Sequence, residues 1–336
     1  MGGNALKQLG IESKRMTTSE LNQYTQEIKQ LVEQKLGVEV YVVQSYREKE
    51  SHGDADLLLK IDHEFHNKNI NLRKFIEETF VDCKGISSNG SVISWEYKDT
   101  QIDFIPVKES NWEVSKCFFD WDPTGNLMGK IAHKFGLKYG FEGLKYPFRT
   151  FSGTNKVDIV LSKDNRKIFD FLGCDYDRYL NGFNNQKEMF DYIINSKYFN
   201  FDCFLMENLS SIDKKRNKKR ESYKLFLDYI NLNKDNLTSY EFNKDKKSYF
   251  KYIDSFFPEV NLSRQLEELK RKDSLNKECS EKFNGEIIMQ HFPNLKGKEL
   301  GDKISSFKSQ FDDYKQFILD NTQEEIIFQF KSVNNL

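Results

Sequence analysis

The stretch that most limits what this chain can become runs from Val38 to Ile61, VEVYVVQSYREKESHGDADLLLKI. Its β-branched and aromatic opening, Val38–Gln44, predicts a buried strand. Ser45–Gly53 predicts a polar turn, after which Asp54-Ala55-Asp56 runs straight into Leu57-Leu58-Leu59. Side chains alternate along a strand, so Asp54 and Asp56 share one side. Two carboxylates at the mouth of an apolar strand repel each other and resist desolvation, and such a pair is stable with a cation between them. Hard oxygen ligands with room for water suit Mg²⁺.

A third carboxylate fits the same pattern. Ser91–Tyr97 and Gln101–Val107 read as a hairpin turning at Lys98-Asp99-Thr100, and Asp103 lies inside the second strand. A charge there needs a partner, and neighbouring strands would bring Asp103 to Asp54 and Asp56.

The segment SYREKESHGDADLLL, followed by Asp103 on a later strand, resembles the nucleotide-binding segment of the polymerase-beta-type nucleotidyltransferases. The resemblance spans residues 38–107 and implies specific roles. Asp54, Asp56 and Asp103 would be catalytic and hold two Mg²⁺ ions. Ser45 and Arg47 would contact the phosphates of an NTP such as ATP. Gln44 stands where that family has glycine. The implied fold is α+β, a small mixed sheet with flanking helices, followed by a mostly helical C-terminal half.

The 336 residues suffice for two or three domains. The pattern suggests a catalytic domain over 1–107, a central α/β domain over 108–203 completing the nucleotide site, and a helical domain over 204–336 with possible RNA binding. The formal net charge of −1 excludes a global field that would draw the chain onto nucleic acid or membrane. The 29 Phe and 16 Tyr supply a core built largely on aromatics. Five scattered cysteines without a C-x-x-C pair indicate neither zinc nor a disulfide framework. No apolar run approaches the roughly 18 residues needed to span a membrane, and no signal peptide is evident, so a cytoplasmic location is expected.

Along the chain, MGGNALKQLG reads either as a loose terminus or as a segment folded over the active site, with Gly2, Gly3, Lys7 and Arg15 approaching a phosphate. Thr17-Thr18-Ser19-Glu20 predicts a capping box opening a helix that Gly37 stops, and Asn69–Phe80 predicts a second. In TGNLMGKIAHKF an apolar stripe leaves Lys130, His133 and Lys134 on a polar face, which is either solvated or, for Lys130 and Lys134, grips a triphosphate. Gln186–Phe199 reads as an amphipathic helix. The run Lys214-Lys215-Arg216-Asn217-Lys218-Lys219-Arg220 is either a solvated stretch or a contact for phosphate backbone. The tail around Lys296 and Lys298, with an apolar face continuing from Leu300 to Ile318, loosely resembles the RNA-binding end of CCA-adding enzymes and poly(A) polymerases.

The reading these features give is a Mg²⁺-dependent transfer of a nucleoside monophosphate from an NTP to an acceptor hydroxyl, without template, on an RNA 3′ end of tRNA type. Two rivals stand beside it. One is a toxin- or defence-type transferase that modifies a protein or small molecule or makes a cyclic nucleotide. The other is an inactive fold kept as a nucleic-acid-binding module.

Overall fold

The computed structural model describes residues 4–61, 70–153 and 156–336. Helix α1, Thr18–Leu36, opens on a capping box. The Thr17 hydroxyl accepts from the Glu20 N–H at 3.2 Å, and the Glu20 carboxylate accepts from the Thr17 N–H at 2.8 Å. Gly37, at φ 69°, ends the helix in the left-handed region, where a side chain would be strained. A short antiparallel pair joins β1 (Met16–Thr17), just before α1, to β3 (Ser51–His52).

The main sheet contains β2 (Val40–Val42), β4 (Asp54–Ile61), β5 (Ile86–Asn89), β6 (Val92–Tyr97) and β7 (Thr100–Lys108), in the order β2-β4-β7-β6-β5. β4 and β7 run parallel, and the other pairs are antiparallel. The β6–β7 turn is two residues, Lys98 and Asp99, at φ 51° and 65°; this left-handed pair matches the twist of the flanking strands. It is one residue shorter than the sequence suggests, because Thr100 already belongs to β7.

Alternation gives the sheet two unlike faces. Ala55, Leu57, Leu59, Ile102 and Phe104 join α1 and α2 (Leu72–Thr79) in one core with Ile28, Val32, Phe75 and Ile76. Leu57, Leu59 and Phe104 are fully buried, each contributing about 1.5–3 kcal/mol by removal from water. On the opposite face a smaller cluster, Leu58, Ile105, Val107 and Trp112, fills one end. Asp54, Asp56 and Asp103 share that second face by alternation.

After the sheet come α3 (Trp112–Phe119), α4 (Thr124–Lys134), a β8–β9 hairpin (Lys138–Gly140 and Gly143–Arg149), β10 (Lys156–Ser162) and a succession of helices to the C-terminus. The architecture is α+β, with a mostly helical C-terminal half. Two compact units are distinguished: Met1–Tyr146 with Val160–Val260, and Pro147–Ile159 with Asn261–Leu336. The sequence suggests divisions after 107 and 203; both positions fall inside the first unit. The second has its own aromatic core of Phe283, Ile288, Phe307, Ile318, Ile326 and Phe330.

Several elements differ from the sequence reading. β2 covers only Val40–Val42 rather than Val38–Gln44, because the backbone of Gln44 leaves the ladder for another loop. The helix from Gln186 stops at Ile194, short of Phe199. The second helix begins at Leu72; Asn69, its expected first residue, lies outside the described residues, as do Gly2 and Gly3. The basic run does not form one helix: Ser211–Asn217 ends within it, with Asn217 fully buried. The apolar face from Leu300 to Ile318 is split between Gly297–Lys308 and Tyr314–Asp320. There Asp313 caps the second piece, accepting from the Lys315 and Gln316 N–H groups at 3.0 and 3.1 Å.

Candidate active site

Strand register builds the site. Asp56 sits beside Asp103 and Asp54 beside Gln101 across the parallel β4–β7 pair. Ser94 lies beside Asp103 on the other side, with Ser87 beyond it. A single row of side chains therefore reads Ser87, Ser94, Asp103, Asp56 across four strands. Neighbouring strands are about 4.8 Å apart and alternate residues on one strand about 6.6 Å. Three carboxylates thus rise from one small patch of sheet.

Their electrostatics follow from crowding. Burial pushes the Asp56 carboxyl well above the usual range, and Asp54, Asp103 and Asp122 add to the rise while Lys49 opposes it. Asp103 is pushed up to about 6 by burial and by Asp54, against hydrogen bonds from Ser94 and Gln101. The Gln101 bond is the Nε2 amide donating to Oδ1 at 2.9 Å. Lys49 is the cation set among these acids. Burial lowers its pKa, while Asp54, Asp122 and Asp56 hold it up, and its Nζ donates to the Ser45 hydroxyl at 3.4 Å. The Lys49 carbonyl is held by the Thr18 hydroxyl at 2.5 Å and lies 3.2 Å from the His52 ring.

The donor set fits a hard divalent ion: carboxylate oxygens on one sheet face, those of Asp56 and Asp103 raised in pKa first by burial and then by neighbouring acids. As the side chains stand, no group of three His, Cys, Asp or Glu among the described residues is gathered to hold one.

The loop after α3 completes this corner. Asp120 is buried. Its Oδ1 accepts from the Gln44 N–H at 2.8 Å and its Oδ2 from the Tyr41 hydroxyl at 2.7 Å. The Trp121 N–H returns to the Gln44 carbonyl at 2.9 Å. Gln44, at the position where glycine would leave a bare backbone for phosphate, has its N–H taken by a carboxylate, and its exposed amide turns back onto the Val42 carbonyl at 2.8 Å. Asp122 accepts from Arg220 Nη1 at 3.3 Å and from the Ser222 hydroxyl at 3.0 Å. The end of the basic run therefore reaches a carboxylate whose charge Asp56 feels.

Among the phosphate-binding candidates, Ser45 is half-buried beside Lys49. Arg47 is exposed, and its guanidinium donates to Asn184 Oδ1 at 2.9 Å and to the Asn181 carbonyl at 2.6 Å. Lys130 and Lys134 require correction. Lys130 is 4% exposed and pairs with Asp213 at 2.9 Å; it is neither on a solvated face nor turned to the acids. Lys134 is felt by Cys203 and Lys246, and neither lysine is among the charges that shift Asp56 or Asp103.

Lys49, Asp120 and Asp122 were not singled out by the sequence reading. Asp120-Trp121-Asp122 is a second acid-x-acid triplet ahead of a proline, and it is the signal that could have found two of them. Lys49 carries no comparable mark, since it is one of several charges in a polar turn.

No family model matches the chain, and no curated protein matches it. Among solved structures it is similar to polymerase beta of Leishmania infantum in a ternary P/T complex, at 16% identity over 48% of this chain and 74% of that one, with a TM-score of 0.39. It is also similar to the same polymerase in a ternary gap complex, at 15% identity over 48% and 69%, with a TM-score of 0.40.

Proposed function

We propose that this chain is a metal-dependent nucleotidyltransferase. The observation that carries the reading is the in-register pairing of Asp56 with Asp103 on the sheet face that also carries Asp54. Asp54, Asp56 and Asp103 would hold two Mg²⁺ ions, which when bound supply positive charge to the transferring phosphoryl group and acidify the acceptor hydroxyl. The acceptor oxygen forms a bond to the α-phosphorus of an NTP as the bond to the pyrophosphate oxygen breaks. Asp103 is the carboxylate set to receive the hydroxyl proton. Ser45, Arg47 and Lys49 would supply donors and positive charge to the leaving phosphates.

The acceptor favoured is an RNA 3′ end of tRNA type, extended without template. Its support is the basic run 214–220, whose Arg220 is tied to Asp122 beside the acids. Cations on that run would neutralise backbone phosphates and make binding fall with salt. The experiment is incubation with each labelled NTP, Mg²⁺ and total cellular RNA. A labelled band of tRNA size supports the proposal, and Asp54→Ala should abolish it. Label in protein, or in a small nucleotide product formed without RNA, keeps the transfer and overturns the acceptor. Salt-sensitive RNA binding with no transfer by the native chain overturns the enzyme.

A further inference from the structure

The sheet face that bears the acids is covered on one side by the start of the chain. Ala5–Leu9 forms a 3₁₀ turn ended by Gly10 at φ 75°. Leu6 within it is fully buried. The Ala5 N–H donates to Gln101 Oε1 at 2.9 Å, and the Gln8 amide donates to the Ser87 hydroxyl. Ser87 and Gln101 both belong to the face that carries Asp54, Asp56 and Asp103. The N-terminal turn thus spans the β5–β7 side of that face, touching the row that holds Asp103 at one end and the neighbour of Asp54 at the other.

Gln101 is 2% exposed, and both ends of its amide are engaged. A backbone N–H can only donate, so Oε1 must face Ala5. That leaves the two Nε2 protons for the other side, where one bonds Asp103 Oδ1 at 2.9 Å. If the amide turned over, its oxygen would face the carboxylate and repel it. We propose that Gln101 is a positioning residue for Asp103, and that the N-terminal turn is a working wall of the active site because its Ala5 N–H fixes which way the Gln101 amide points. This inference rests on the nucleotidyltransferase reading for its catalytic consequence, while its geometry stands without it.

Two variants test it: Ala5→Pro, which removes the backbone N–H at the first position of the turn and keeps Leu6, and Gln101→Leu. Each should lower kcat by about 10-fold or more, the usual effect of losing a partner that orients a ligand, with KM for NTP within about threefold. The combined variant should be no slower than the slower single one, because both act through one amide. A second readout needs no activity. The Gln101 side-chain NH₂ signals, assigned by their loss in Gln101→Leu, should move in the metal-free protein in Ala5→Pro, and also in Asp103→Ala. Unmoved signals in Ala5→Pro, a change in KM alone, or losses that multiply in the combined variant would overturn the inference. If the native chain transfers no nucleotide but the signals move as stated, the enzymatic reading fails and the coupling of the turn to Asp103 stands.

Discussion

Replacing Asp103 by Asn should stabilise the metal-free protein while stopping transfer. Asn keeps the shape and its oxygen can still accept from the Gln101 amide, but it removes the charge that burial and Asp54 oppose. The native Asp103 is pushed from an ordinary 3.8 up to about 6. A group whose folded pKa is raised contributes its stability below the unfolded pKa and loses it as pH rises through the folded one. Above pH 7 the ionised carboxylate therefore costs the fold about 3 kcal/mol. For a unit of this size that corresponds to a rise in Tm of roughly 5–10 °C in the variant. The assay is calorimetry with EDTA at pH 7.5 and 4.5. The gain should be large at the higher pH and fall to roughly a third at the lower, where the folded Asp103 is neutral but the unfolded one is still mostly ionised. Adding Mg²⁺ should stabilise the native chain more than the variant. A variant that melts at or below the native Tm at pH 7.5, or a gain undiminished at pH 4.5, would refute the claim that these acids are held together against their charge.

Two further outcomes are expected from residues around the site. Lys130→Met should lower stability by about 3–5 kcal/mol, since it strands the Asp213 carboxylate that Lys130 now pairs; equilibrium urea unfolding measures this, and a raised KM for NTP at unchanged stability would restore Lys130 to the phosphate site. Gly182→Ala should raise KM for NTP and lower stability by about 1–3 kcal/mol, because at φ 67° a Cβ would lie 2.8 Å from the Trp121 ring and 3.1 Å from Arg47 Nη2; a variant with native KM and Tm would show that Arg47 and Trp121 yield freely.

Local rules made much of the fold legible. Thr17 and Glu20 cap α1, Gly37 ends it, and alternation along β4 and β7 puts the acids on one face. These features depend on residues within a few positions of each other, so periodicity and capping chemistry reveal them. The contribution of Asp103 required only that two strands be neighbours, and their hydrophobic patterns allowed that. What stayed hidden depends on partners distant in sequence. Lys130 lies on a face that looks polar by helical spacing, yet Asp213 meets it there and Lys130 is buried. Asp120 holds Gln44 across 76 positions, and nothing near Gln44 announces it. The breaks at Asn217 and Asp313 likewise came from packing and capping that outweighed a continuous apolar or basic pattern.

The parallel alignment of β4 with β7 also guards its own accuracy. Sliding one strand by a single position would swing Asp103 to the opposite side, among Leu57, Phe75 and Trp95, where an unpaired charge has no water and no counterion. Misaligned chains would thus be penalised while the sheet assembles, so the three acids act as folding proofreaders before any substrate arrives. A sequence that lost them would be freer to zip up wrongly.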